Sequence, residues 1–186
     1  MTGGRCGETK LQHDFATSLA ISAAQVDAPW WELVYRQAFP DFSVMHSVRC
    51  DGWAQRGGID RVVSLASGKT ITVDEKVRQK DYPDLLWEYL SDVKRQTPGW
   101  AAKDMACDYI AYAYIPSRKC YLLPALQVRK AWIENGKDWI SKATSSTVGF
   151  RVVNADNGHY TTRSVAVPIK ESFRAIQTAM IIRWAA

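Results

Sequence analysis

The sequence predicts a mixed α/β or α+β domain, and three observations lead to it. Segments of apolar alternation recur along the chain, apolar stripes at helical spacing fall between them, and the two kinds interleave with no repeat, low-complexity tract or Gly/Ser linker. With 186 residues, 47% of them apolar, the chain is expected to be one domain that buries its own core. The expected order is α-α-β-β-β-α-β-β-α-β-β-α.

The first helix is expected from Glu8 to Ala24, with Leu11, Phe15 and Leu19 as its stripe. Asp27-Ala-Pro29 breaks it. Pro29 suits the first turn of a second, short helix in which Trp30, Leu33, Val34 and Phe39 form the buried side, ended by Pro40. Phe42, Val44, His46 and Val48 alternate as in a strand, and Cys50-Asp51-Gly52 reads as a turn. Two further strands, Ile59 to Leu65 and Thr70 to Arg78, flank the hairpin turn Ala66-Ser67-Gly68-Lys69. Asp84 to Arg95 reads as a helix carrying Leu86, Leu90 and Val93 on one face, ended by Pro98-Gly99. The uncharged run Tyr109 to Ile115 fits a strand covered on both faces, followed by a shorter strand, Cys120 to Leu123. After Pro124 a helix to about Lys142 places Leu126, Ile133 and Ile140 in register, with Trp132 and Trp139 beside them. Asn157-Gly158 marks a hairpin, and a last helix is expected from Lys170 to Trp184.

The formal charge of +5 is unevenly spread. Residues 1–93 hold 10 Lys and Arg against 13 Asp and Glu, a charge of −3, and residues 94–186 hold 14 against 6, a charge of +8. A basic half suits a polyanionic partner. Cys6, Cys50, Cys107 and Cys120 form no CxxC pair, and His13, His46 and His159 stand alone, so a zinc site is not expected and the thiols fit a reducing cytoplasm. The best apolar stretch, Ala16 to Ala24, is too short for a membrane span and is broken by Thr17, Ser18 and Ser22, and no leader pattern opens the chain. A soluble cytoplasmic protein with no membrane partner is expected.

The segment that carries chemistry runs from Gly57-Gly-Ile-Asp60 to Ile71-Thr-Val-Asp-Glu-Lys-Val-Arg78. On a strand, Thr72, Asp74, Lys76 and Arg78 point to one side, and Ile71, Val73, Glu75 and Val77 to the other. Asp74 and Lys76 are then neighbours on a polar face, the adjacent strand delivers Asp60, and Glu75 falls on the apolar side. Two carboxylates of this kind can hold Mg²⁺, an oxygen-seeking ion that keeps several waters. Lys76 can orient an attacking water or stabilise the charge that develops on a phosphodiester. An ordinary exposed Asp74–Lys76 ion pair is the alternative reading of the same residues.

Ile59-Asp60 and Asp74-Glu75-Lys76 together resemble the two motif elements of the PD-(D/E)XK, restriction-endonuclease-like nuclease superfamily, with 13 residues between the aspartates. The resemblance covers about 100 of the 186 residues and implies an α-β-β-β-α-β core within residues 8–124, a central mixed sheet flanked by helices, and a helix and hairpin extension over 125–186. It implies a Mg²⁺-dependent nuclease, with Mn²⁺ as a substitute ion, acting on nucleic acid, DNA foremost. Asp60 and Asp74 would bind metal and Lys76 would serve the attacking water. The superfamily also suggests an acid from the first helix, Asp14 by slight preference over Glu8 and Glu32, and places polar residues such as Gln79 and Lys80 at the scissile phosphate. Arg118, Lys119, Arg129 and Lys130 are the expected backbone contacts. Glu88 could extend the metal site or lie on a solvated face. Trp53 and Trp100, in loops, are the aromatic residues most open to a stacking role. Double-strand cutting would suit a homodimer. A nuclease fold that binds nucleic acid or a protein without catalysis is the competing expectation.

Overall fold

The computed structural model describes residues 28–185. The expected helix at Glu8 to Ala24, and with it Glu8, Asp14, Cys6 and His13, lies outside the described residues. The chain is α+β: four helices and two sheets are described. In chain order these are α1 (Trp30–Ala38), β1 (Phe42–Ser47), α2 (Gly52–Arg56), β2 (Arg61–Leu65), β3 (Thr70–Arg78), β4 (Asp84–Asp92), β5 (Thr97–Pro98), β6 (Tyr109–Tyr114), β7 (Lys119–Pro124), α3 (Ala125–Thr144), β8 (Arg151–Asp156), β9 (Thr161–Pro168), α4 (Ile169–Ile176) and β10 (Met180–Arg183).

The larger sheet runs β1-β2-β3-β6-β7-β10 and is mixed, because β3 and β6 are parallel and every other pair is antiparallel. The smaller sheet runs β5-β4-β9-β8 and is antiparallel throughout. Strand alternation divides the core accordingly. On one face of the larger sheet Val63, Val73, Ala111 and Leu122 pack against Trp31, Val34 and Tyr35 of α1. On the other, Ile110, Tyr112, Tyr121 and Leu123 meet Leu85, Trp87, Val165 and Val167 of the smaller sheet and Val128 and Trp139 of α3.

Several elements differ from expectation. The segment expected as a helix at Asp84 to Arg95 is strand β4, paired with β9 from Asp84 opposite Pro168 to Leu90 opposite Arg163. Its residues satisfy both periods: Leu86, Leu90 and Val93 suit a helix, whereas fully buried Leu85 and Trp87 alternate as in a strand, and pairing with β9 decides. The connection from β3 to β6 therefore passes through a second sheet, where the restriction-endonuclease-like core would have a helix. The last helix is shorter than expected: it stops at Ile176, Gln177 turns into the left-handed region at φ 66°, and Met180–Arg183 adds β10 to the edge of β7. The turn expected at Cys50-Asp51-Gly52 opens a short helix, α2, because the Asp51 carboxylate accepts the N–H groups of Trp53 (2.7 Å) and Ala54 (3.1 Å).

Two helices also bury different faces from those expected. In α1 Leu33 is exposed and the core side is Trp31, Val34 and Tyr35. In α3 Leu126 and Ile133 are exposed, and the buried stripe is Ala125, Val128, Ala131, Gly136, Trp139 and Ala143. A Cβ at Gly136 would sit 2.9 Å from the ring of Trp132, one turn earlier on the same helix, so glycine there leaves room for that indole.

Trp87 anchors this side of the core. Its ring lies 4.8 Å from that of Trp139, 5.8 Å from Trp100 and 6.2 Å from Trp132, and its indole N–H donates to Ser172 Oγ at 3.1 Å. Replacing it by Ala should cost about 3–5 kcal/mol through lost burial and an unfilled cavity. Urea unfolding of Trp87→Ala checks this.

Candidate active site

β3 lies inside the larger sheet, so its charged residues are drawn out of water from both sides. Asp74 registers with Ile110 and Lys76 with Tyr112 of parallel β6, and these side chains share the face that looks toward the smaller sheet. Asp60 immediately precedes β2, and its backbone N–H donates to Val73 O at 2.9 Å. Arg61, the next residue, points to the α1 side, so Asp60 joins Asp74 on the inner face. Gly57 and Gly58 make this possible. Ala106 N–H donates to Gly57 O at 2.8 Å, Gly58 stands at φ 68°, and a Cβ at Gly58 would press on Met105 at 3.3 Å.

The structure thus brings Asp60, Asp74 and Lys76 together. Lys76 Nζ donates to Asp74 Oδ1 at 2.7 Å, whereas Asp74 Oδ2 is buried with no hydrogen-bond donor. Burial pushes the Asp74 carboxyl above its ordinary range against the pull of Lys76, and the adjacent Asp60 carboxylate pushes it further. For Lys76, burial acts to lower the ammonium, but Asp74, with Asp60 and Glu88, outweighs it and leaves the pKa raised. Lys76 is firmly cationic, and an ammonium of this kind serves as an electrostatic and hydrogen-bonding group.

Asp60 is held from behind. Its Oδ2 accepts the Glu75 N–H at 2.8 Å and lies 3.1 Å from Arg49 Nη2. The same Arg49 nitrogen is 3.1 Å from Glu75 Oε2. Glu75 also receives Arg61 Nε at 3.0 Å and the Tyr35 hydroxyl at 2.7 Å. A buried Glu75 network on the α1 face therefore locks the sheet behind the carboxylates, as supporting residues orient metal ligands. Sequence reasoning placed Glu75 on the apolar side and missed its partners. Arg61 was the available signal: it takes an inward position opposite Val73, and two residues along β3 from that site stands Glu75.

The donor set fits a hard divalent cation. Asp60 and Asp74 offer carboxylate oxygens, the orphaned Asp74 Oδ2 lacks a positive partner, and a cation would reverse the cost of keeping two ionised carboxylates side by side. Among the described residues no group of three or more His, Cys, Asp and Glu is placed to hold a metal ion. Two carboxylates with water completing the shell is the coordination Mg²⁺ accepts.

Glu88 comes from β4 and faces the site across the gap between the sheets. Burial raises its pKa, opposed by Lys76, the Trp100 N–H and Lys103 and reinforced by Asp74. Asp84, at the start of β4, pairs with Arg151 at 2.9 Å and sits 3.9 Å from Arg78. Trp100 packs on Trp87, and Lys76 Nζ lies 6.0 Å from its ring centre. Cys107 adjoins Asp74, and burial pushes its thiol up to about 12.

The remaining candidates stand apart. Gln79 and Lys80 are exposed just beyond β3. Arg118 closes the β6–β7 turn and Lys119 opens β7 at the same end of the sheet. Arg129 and Lys130 lie on α3, engaged with Asp104 (3.1 Å) and Glu134 (3.9 Å). Glu32 pairs with Arg36 on α1, across the sheet from Asp74, and Asp14 lies outside the described residues. Trp53 is 80% exposed with the Arg56 guanidinium 4.3 Å above its ring. The basic half is therefore no single patch, since Arg129, Lys142, Arg151 and Arg174 each meet a carboxylate. No family model, curated protein or solved structure matches the chain. No helix among the described residues is long and apolar enough to cross a membrane.

Proposed function

We propose that the protein is a divalent-metal-dependent nuclease of the PD-(D/E)XK type, hydrolysing phosphodiester bonds in nucleic acid, DNA foremost. One observation carries the reading: Asp60 and Asp74 lie together on the inner face of the sheet, with the Lys76 ammonium 2.7 Å from Asp74 and one Asp74 oxygen left without a donor. Asp60 and Asp74 would hold Mg²⁺ or Mn²⁺, which when bound supplies a Lewis acid for the phosphoryl oxygen and an acidified water. The chain's own contribution is positioning and charge. Arg49 and the Glu75 N–H fix Asp60, Asp74 fixes Lys76, and Lys76 is placed to orient the attacking water and to stabilise negative charge gathering on the phosphate. The exposed cations Lys80 and Arg118 and their neighbours Gln79 and Lys119 can meet backbone phosphates at the C-terminal end of β3, and Arg129 and Lys130 at the opposite end, without reading bases.

A second reading, a catalytically idle protein of the same build that binds nucleic acid or a protein partner, is favoured by the hold of Arg49 on Asp60 and by the burial of both carboxylates. Incubation with circular and linear DNA, single-stranded DNA and RNA, in Mg²⁺, Mn²⁺ or chelator, separates the two. Metal-dependent cutting that Asp74→Asn abolishes supports the nuclease; retention of all substrates intact supports the idle protein.

Cation binding should also register as stability. A ligand at one hundred times its dissociation constant stabilises the folded state by about 2.7 kcal/mol. Mn²⁺ should raise the melting temperature of the wild type relative to chelator and leave Asp74→Asn unmoved. An equal shift in both proteins would place the ion elsewhere.

A further inference from the structure

The two sheets do not close completely on each other. Between them lies a cleft of about 390 Å³, with Lys76 and Arg78 of β3 on one wall, Glu88 of β4 and Ala155 of β8 on the other, and Trp100 and Lys103 at one end. We infer that this cleft takes one unpaired nucleotide, so that the substrate is single-stranded nucleic acid, fed past Lys76.

Size, charge and shape each lead there. The volume falls at the lower end of the ~300–1,000 Å³ typical of small-ligand sites, enough for a base with its sugar and phosphate but not for a duplex. Three of the six named residues are cations and one is an acid, which suits a phosphate. Trp100 offers the flat surface that bases stack on, and Trp87 supports it from behind at 5.8 Å and 22°. Glu88, on the β4 wall, adds a carboxyl group within reach of a base's exocyclic amine. Gly99 allows this end to form: a Cβ there would fall 2.5 Å from Glu88 O, so a larger residue would force the Trp100 segment away from β4. The cleft is continuous with the candidate active site because Lys76 belongs to both, touching Asp74 on one side and lining the cleft on the other. The inference rests on the nuclease reading for the phosphodiester that is cut, but nucleotide binding stands without it.

The test uses the full chain with fluorescent oligo(dT), oligo(U) and a blunt DNA duplex of equal length, with binding read by anisotropy in chelator and cutting read in Mg²⁺. The variants are Trp100→Ala, which removes the stacking surface, and Ala155→Trp, which fills the cleft from an exposed strand position and leaves the core intact. Wild type should bind at least one of the two single strands more tightly than the duplex. Both variants should weaken that binding roughly 5- to 150-fold, the loss expected for one stacked base, and leave duplex binding unchanged. A duplex bound at least as tightly as both single strands, or single-strand binding that survives Ala155→Trp, overturns the inference. If single strands bind selectively and nothing is cut, the nuclease reading fails and the cleft stands. If duplex is cut with no response to Ala155→Trp, the cleft fails and the nuclease stands.

Discussion

Lys76→Ala is expected to lower phosphodiester cleavage by about 10²–10³-fold, the loss seen when one preorganised electrostatic donor is removed from a reacting centre. Lys76 is also the ion-pair partner of buried Asp74, so the folding of Lys76→Ala is checked by its thermal melt before its rate is read. Its side chain keeps 29% of its surface exposed, and its one ion-pair partner, Asp74, is itself destabilised by burial. The change removes a positive charge next to two carboxylates, so it should weaken substrate and strengthen the repulsion between Asp60 and Asp74. A divalent cation relieves that repulsion, and metal affinity should therefore persist. The informative pattern is loss of kcat with metal binding retained. Lys76→Arg restores charge with a different shape, and recovery by Arg would identify charge as the main contribution. Loss with both replacements would point to a positioned water. Cleavage by Lys76→Ala equal to that of wild type would remove Lys76 from the chemistry.

Glu75→Ala should be the most destabilising single change in the charged interior, costing about 3–5 kcal/mol, because it removes the buried carboxylate that Arg61, Arg49 and the Tyr35 hydroxyl all approach. The Glu75 side chain has no exposed surface, that of Arg61 is 4% exposed, and their Nε–Oε1 separation is 3.0 Å. The Tyr35 hydroxyl, 2.7 Å from the same oxygen, loses its acceptor too, and burial together with Glu75 already holds that hydroxyl well above its ordinary range. Arg49 behaves differently. It is 28% exposed and can turn to solvent, so Arg49→Ala should cost less stability while freeing Asp60 on one side. Chemical denaturation of both variants gives the comparison. A smaller cost for Glu75→Ala than for Arg49→Ala would mean that the buried network is not what holds β2 and β3 behind the site.

Much of the site was legible in the sequence because strand alternation is a local rule. Period two along Thr70 to Arg78 put Asp74 and Lys76 on one face and Glu75 on the other, and the Ser67-Gly68 turn delivered Asp60 to their side. The mixed sheet was expected from the resemblance to the nuclease superfamily, not from alternation. Non-local pairing was not legible. β4 carries both helical and alternating apolar spacing, and only its partner, some 75 residues along the chain at Thr161–Pro168, settles which period is used. β10 was missed for the same reason, as its four residues become a strand only against β7. Arg49 and Arg61 illustrate a third limit. Composition counts them as surface charge, whereas their place behind Asp60 depends on a buried carboxylate that receives them from two directions.

Whether Asp60 and Asp74 form one cation site is read by calorimetric titration of Mn²⁺ into the protein, with Mg²⁺ as competitor. One saturable site per chain is predicted, displaced by Mg²⁺ and lost in Asp74→Asn. No heat above dilution for the wild type, or undiminished binding by Asp74→Asn, would contradict it.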